Sequence, residues 1–287
     1  RKAAALAGVL VDVVADHDDL AHAFALHLAR DRVDGDDAID RLPGVASMSN
    51  AQLTAAAVRA LGPLSEIGPI DCLASGTALP DQLMPGHGVM VHGELGWPRL
   101  QVVSCAGICL AGMAALKHAW LSVRAGDSER AVATGSELAS PILHARNFEV
   151  EHEHKVQLLE SRPEIAFEKD FLRWMLSDGA GAALLEAEPN GPRPLRVDWI
   201  ELSSAAHELP ACMYAGAERS EQSAELRGWL NFPSSQWQER SVFSVKQDVR
   251  LLNDNIVRAS LAEPLQALIA KRGLRAERID WFLPHIS

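Results

Sequence analysis

The chain has 287 residues, 48% of them hydrophobic and 23% charged, which is material for one large domain or two medium ones and excludes a globally disordered polymer. A formal net charge of −11 argues against nucleic acid or an anionic membrane as the principal partner. Four cysteines in a chain of this size make no disulfide framework, so a reducing, cytoplasmic setting is expected.

The opening "RKAAALAGVLVDVVADHDD" has two basic residues and an apolar run broken by Asp12, with no small-residue cleavage site after it. It predicts an amphipathic helix within residues 1–30, not a targeting segment. No apolar run approaches the length that spans a bilayer. "DRVDGDDAIDRLPG" is polar and turn-rich. "SNAQLTAAAVRALG" carries an N-cap at Ser49-Asn50, apolar residues at helical spacing and Gly62 as a stop. "IDCLASGTA" reads as a buried strand entering a Gly-Thr loop, and "GHGVMVHGELG" as a short helix or turn. "RLQVVSC" is a strand. "CAGICLAGMAALKHAWLSVRAGD" then runs as a long helix ending near Gly126, and "RAVATGSEL" is the next strand. Strand, helix and strand make a parallel α/β unit.

Residues 140–175 are charged and irregular, turning helical toward "FEKDFLRWML". "SDGAGAALLEAE" and "LRVDWIELSSAA" read as strands. "VKQDVRLLNDNIVRASLAEPLQALIAKRGL" predicts one or two amphipathic helices. "IDWFLPHIS" predicts an apolar strand running into a Pro-His turn. Ile70-Asp71 and Ile279-Asp280 each follow a helix and a loop, an echo that suggests internal duplication.

Cys105 falls where a strand meets a helix start. Unpaired N–H groups there favour a thiolate and lower its pKa. Ala106 and Gly107 leave room for a substrate to approach. Judged locally, a buried structural cysteine and a nucleophile carry equal weight. Cys109, one turn on, reads as a small buried hydrophobe. Cys72 and Cys212 sit in unrelated contexts, so no metal site is expected. The alternating "EVEHEHK" reads as a solvated loop. His285, after an apolar strand and a proline, stands where α/β sheets present chemistry and is the better partner for a thiolate. "DGAGAA" at 178–183 lacks the third glycine of a dinucleotide fingerprint and reads as close backbone packing.

Four motifs in order, "MPGHGVMVHGELG", "VVSCAGICLAGMAALKHAWLSVRAGDSERAVATGSE", "LSDGAGAALLE" and "DWFLPHIS", resemble β-ketoacyl-ACP synthase III enzymes of the thiolase-like superfamily over about residues 49–287. The wording "RWMLSDGAGA" and "PHIS" is similar to the dialkylresorcinol-type ketosynthases within it. The resemblance implies an α/β fold of layered αβαβα type with two related halves. Residues 1–190 would be the first half with a cap at about 140–175, and residues 191–287 the start of the second. No Gly-x-Gly-x-Tyr-Leu-Pro start is seen in residues 1–48. The family's Asn in a Gly-Asn motif has no counterpart, since Asn231, Asn253 and Asn255 lie in the wrong context. Either the chain is incomplete, which is the expectation, or the enzyme is crippled.

The implied activity is two-step. Cys105 takes an acyl group from a thioester, and decarboxylation of a malonyl or β-ketoacyl thioester on acyl carrier protein supplies the attacking carbanion, with His285 hydrogen-bonding the thioester oxygen. No metal or redox cofactor is required; acyl-CoA or acyl-ACP are substrates. Met84 falls at the position that reaches from one subunit of a homodimer into its partner's acyl pocket, a role that stands beside plain dimer packing. Lys271, Arg272, Arg275 and Arg278 form a basic cluster that either docks the acidic acyl carrier or is ordinary surface. A same-fold acyltransferase without decarboxylation, and a non-catalytic subunit of a ketosynthase heterodimer, are the alternatives.

Overall fold

A computed structural model describes residues 9–14, 23–27, 48–143, 176–188, 195–220 and 225–282. The chain divides into two compact units, one formed by Val11–Pro141 with Ser177–Glu201 and the other by Arg1–Leu10, Ile142–Leu176 and Leu202–Ser287.

Where a helix was predicted, the chain forms two strands, β1 (Val9–Val14) and β2 (Ala23–His27). The stretch "VLVDVV" explains the difference: four of its six residues are valine, whose branched Cβ suits a pleated strand better than a helix. The helix at α1 (Asn50–Arg59) is as predicted. Ser49 is its N-cap, and Ser49 and Gln52 exchange side-chain-to-backbone bonds in a capping box.

The first unit is built on a five-stranded sheet in the order β2–β6–β5–β3–β4, where β3 is Cys72–Gly76, β4 Gln101–Cys105, β5 Arg130–Glu137 and β6 Gly179–Glu186. The strands β3, β4 and β5 are parallel, and β6 returns antiparallel between β5 and β2. All five residues of β3 are buried, as befits a strand with neighbours on both sides and helices over it. Leu73 and Val132 are fully buried in the core with Val58 of α1 and Val91 of α2 (His87–Leu95). Each such side chain contributes about 1.5–3 kcal/mol.

Helix α3 (Ala111–Arg124) presents Ala111, Ala115 and Ala119 to this sheet, one small residue per turn. That stripe lets helix and sheet approach at backbone distance. A Cβ added to Gly112 would sit 3.0 Å from Gly135 Cα on β5, and one added to Gly76 at the end of β3 would fall well inside contact distance of the Ala111 carbonyl oxygen. Further along, Trp120 donates its indole N–H to the carbonyl of Val197 on β7 (Arg196–Leu202), 2.9 Å away.

The second unit holds two short antiparallel pairs, β8 (Met213–Tyr214) with β11 (Lys246–Gln247) and β9 (Ala217–Arg219) with β10 (Leu226–Gly228). Two helices follow, α4 (Val249–Val257), capped by Asp248, and α5 (Glu263–Arg272), joined by a π turn. Cys212 packs with Ala205 and Ala259 in the core of this unit. The predicted strand at "IDWF" is absent. Ile279, Trp281 and Phe282 are 48%, 83% and 58% exposed, and none pairs with a described strand. A strand takes its hydrogen bonds only from neighbours, so apolar content alone does not make one.

Candidate active site

Cys105 is the last residue of β4, in register with Gly76 of β3, and is half-buried. The turn after it departs from the sequence expectation. Cys105 does not open the α-helix. Gly107 turns the chain at φ 149°, a value that favours glycine, Ile108–Leu110 form a single 3₁₀ turn, and α3 starts only at Ala111. The field of a helix terminus fades within one turn. Accordingly the Cys105 thiol is pushed up by burial, not lowered.

Cys109 lies in the 3₁₀ turn and is exposed, which corrects its reading as a core residue. Its thiol is also held up, by desolvation first and then by the carboxylate of Glu137. Cys72, buried in β3, is pushed up to about 11, chiefly by desolvation. It is a structural residue.

Beside Cys105, the segment after β3 is fixed from several sides. Thr77 donates its N–H to the Cys105 carbonyl at 3.1 Å. Glu137, closing β5, accepts from Ala78 N–H at 2.5 Å, Leu79 N–H at 3.1 Å and Thr77 Oγ1 at 3.1 Å. Asn50 donates to Thr77 Oγ1 and to the Leu79 carbonyl, and Asp81 accepts from the N–H groups of Asn50 and Ala51. The loop then carries Leu83 and Met84 into solvent, 73% and 83% exposed. At its far end, Ser104 Oγ accepts the Gly88 N–H of α2.

His87, at the start of α2, is buried. Its Nε2 lies 3.3 Å from Thr54 Oγ1 and 3.2 Å from Ser136 Oγ, and its Nδ1 has no partner among the described residues. Burial lowers its pKa, partly offset by the charge of Asp81. Glu137 does not stand out in the sequence, and His87 does so only as half of a candidate zinc pair with His92, five residues on, which is not expected to form because the two do not share a helix face. Glu137 closes "GSE" at the end of β5, which β3 separates from the nucleophile strand β4, so no local pattern in the sequence marks it.

Of the other anticipated residues, His285 and the 144–175 part of the cap, with its "EHEH" run, lie outside the described residues. Lys271 and Arg272 end α5, and Arg275 and Arg278 flank the next 3₁₀ turn; all four are exposed, and Arg275 pairs loosely with Glu277 at 3.8 Å. No helix among the described residues is long and apolar enough to cross a membrane.

No family model matches the chain. Curated relatives are named β-ketoacyl-[acyl-carrier-protein] synthase III. That of Streptococcus mutans is 23% identical over 216 residues, covering 75% of this chain and 55% of its own length. That of a Bradyrhizobium species is 26% identical over 235 residues, covering 80% and 59%. The chain thus spans between half and three-fifths of the length of the curated relatives it matches. Among solved structures, OleA of Xanthomonas campestris, crystallised as a variant with lauric acid and lauroyl-CoA, superposes with a TM-score of 0.50 at 17% identity over 82% of this chain and 60% of that one. AbyA1, a tetronic acid condensing enzyme, does so with a TM-score of 0.50 at 16% identity over 81% and 58%. These relatives bear out the resemblance to β-ketoacyl-ACP synthase III, and the fold is that of thiolase-like condensing enzymes.

Proposed function

We propose that this chain carries the nucleophile half of a condensing acyltransferase of the β-ketoacyl-ACP synthase III type. The observation that carries the reading is the placement of Cys105: half-buried at a strand end, on a glycine-turned corner, with its backbone tied to the neighbouring strand's loop. In the first step the Cys105 sulfur attacks a thioester carbonyl. A new C–S bond forms, the bond to the leaving thiol breaks, and that thiol takes up a proton. In the second, loss of carbon dioxide from a malonyl or β-ketoacyl thioester on acyl carrier protein delivers its electron pair to the acyl carbon, and Cys105 leaves. Backbone N–H groups stabilise each oxyanion.

The thiol needs a base, because burial holds it protonated at neutral pH. His285 is proposed for that role and for hydrogen-bonding the thioester oxygen, completed by groups outside this chain. The thioester is itself the activated species, so neither metal nor redox cofactor enters these steps. Among the described strands β4 is an edge strand, and Leu83 and Met84 on the loop after β3 and Val89 on α2 are exposed. An edge strand with exposed apolar side chains on neighbouring segments supports a homodimer, with Met84 on the partner's side of the acyl pocket. The cations Lys271, Arg272, Arg275 and Arg278 are offered as the docking patch for the acidic carrier in the cytoplasm.

Intact-protein and peptide mass spectrometry after incubation with a panel of acyl-CoA and acyl-ACP thioesters tests the reading. The expected result is an acyl adduct on Cys105, formed at least about tenfold more slowly in His285→Ala. Release of labelled carbon dioxide from a carboxyl-labelled malonyl thioester then separates condensation from plain acyl transfer. No adduct on Cys105 with any donor defeats the proposal.

A further inference from the structure

Glu137 binds the segment that follows β3 and acts on Cys109 in the turn after Cys105, and the mechanism above leaves it without a task. Holding a desolvated carboxylate costs stability unless its oxygens are satisfied. Here both oxygens are used on one short segment. One accepts from the Ala78 N–H at 2.5 Å, the other from the Leu79 N–H and the Thr77 hydroxyl, each at 3.1 Å. Those three consecutive residues begin directly after Gly76, the register partner of Cys105. The first of them passes the constraint on, because the Thr77 N–H donates to the Cys105 carbonyl at 3.1 Å. Two hydrogen bonds in series therefore run from the Glu137 carboxylate to the peptide unit that follows the nucleophile.

We propose that Glu137 is a positioning residue for acyl transfer: by fixing the Thr77–Leu79 turn it sets the backbone torsion at Cys105, and with it the alignment of the nucleophile's sulfur and N–H against a thioester oxyanion. The proposal rests on Cys105 being the acyl-accepting nucleophile. It separates two reactions of the same sulfur. Attack on a thioester develops negative charge on oxygen and depends on aligned backbone donors. Alkylation by iodoacetamide develops no oxyanion and needs only an accessible thiolate. A merely structural clamp affects both reactions alike.

The test uses Glu137→Gln, which keeps size and one acceptor oxygen but sets an amide against N–H donors, and Thr77→Val, which removes the hydroxyl's bond to Glu137 together with those it accepts from Asn50 and the Leu79 N–H, and leaves the backbone donors to Glu137 in place. Both rates are read at Cys105 by peptide mass spectrometry, using iodoacetamide and the acyl-CoA that labels wild type fastest. In E137Q, acylation is expected to fall about tenfold, less than the hundredfold or more of deleting an oxyanion donor outright. Alkylation of Cys105 is expected to change by less than about twofold. Thr77→Val moves acylation the same way by a smaller factor and carries the test if the Gln variant does not fold. Cys109 serves as an internal control. Its thiol feels the Glu137 charge, so its alkylation speeds up in E137Q. Equal losses in both reactions at Cys105, or unchanged acylation in a folded variant, overturn the assignment while leaving the function standing. Failure of wild-type Cys105 to be acylated by any donor removes the function and this assignment together.

Discussion

At the scale of single residues, two cysteines four positions apart answer to different surroundings. Cys105 ends a strand and is half-covered; Cys109 sits in the following 3₁₀ turn, exposed, within the field of Glu137. Cys105→Ala is expected to abolish acyl adducts, while Cys109→Ala leaves their rate within about twofold, because Cys109 is exposed in the 3₁₀ turn after the strand end. Labelling that persists in Cys105→Ala, or that is lost in Cys109→Ala, contradicts the roles given to them. The pattern of a cysteine between a strand and a helix was readable from "VVSCAGICLAG". The lowered pKa was not, because the sequence does not reveal that Gly107 and a 3₁₀ turn come between thiol and helix. Glu137 was hidden for a related reason. Its value lies in three donors from residues 77–79, 58–60 positions away, and no local pattern records a bond of that range.

At the scale of elements, what was legible was what local chemistry determines. Ser49 with Gln52 three residues on is a capping box in sequence and in structure, and α1 begins there. The strands "CLASG", "QVVSC" and "RAVATGSE" follow from short apolar runs between glycine and charge. Two expectations failed where neighbours decide. The segment "VLVDVV" gave way to strand preference, and "IDWF" found no strand to pair with. The contact of α3 with the sheet belongs to this scale too. Gly76→Ala is expected to destabilise the fold by about 3 kcal/mol, the upper part of the overpacking range, since the obstacle is a backbone carbonyl and no flexible side chain can yield. Gly112→Ala meets Gly135 Cα at 3.0 Å and gains helix propensity in return, so it costs less. Denaturant midpoints of the two variants check the order; a Gly76→Ala protein as stable as wild type rules out the tight contact.

At the scale of the whole molecule, buried titratable groups make stability depend on pH. His87 has its folded pKa below its ordinary value of 6.5, so the unfolded chain takes up its proton first as pH falls. Its contribution is fully present above 6.5 and is lost as pH drops from there through the folded value. Glu137 works in the opposite sense: burial raises its folded pKa above 4.5, so its contribution is present in acid and is lost as pH climbs through that raised value. The expected outcome is a urea midpoint lower at pH 5.5 than at pH 7.5, with a smaller difference in His87→Gln. The same drop in both proteins dissociates His87 from the effect.

The three glycines where α3 meets the sheet also bear on how this protein can change. At Gly76, Gly112 and Gly135 helix and sheet already touch through backbone atoms, so the clearance is set by missing side chains. No gradual enlargement is open there; even one methyl forces the helix to shift, and the corner that bears Cys105 moves with it. Under the proposed function, divergence toward new acyl groups is thereby channelled away from these three positions. Redesign of this scaffold will progress fastest by holding those three positions invariant and diversifying everything that faces the substrate.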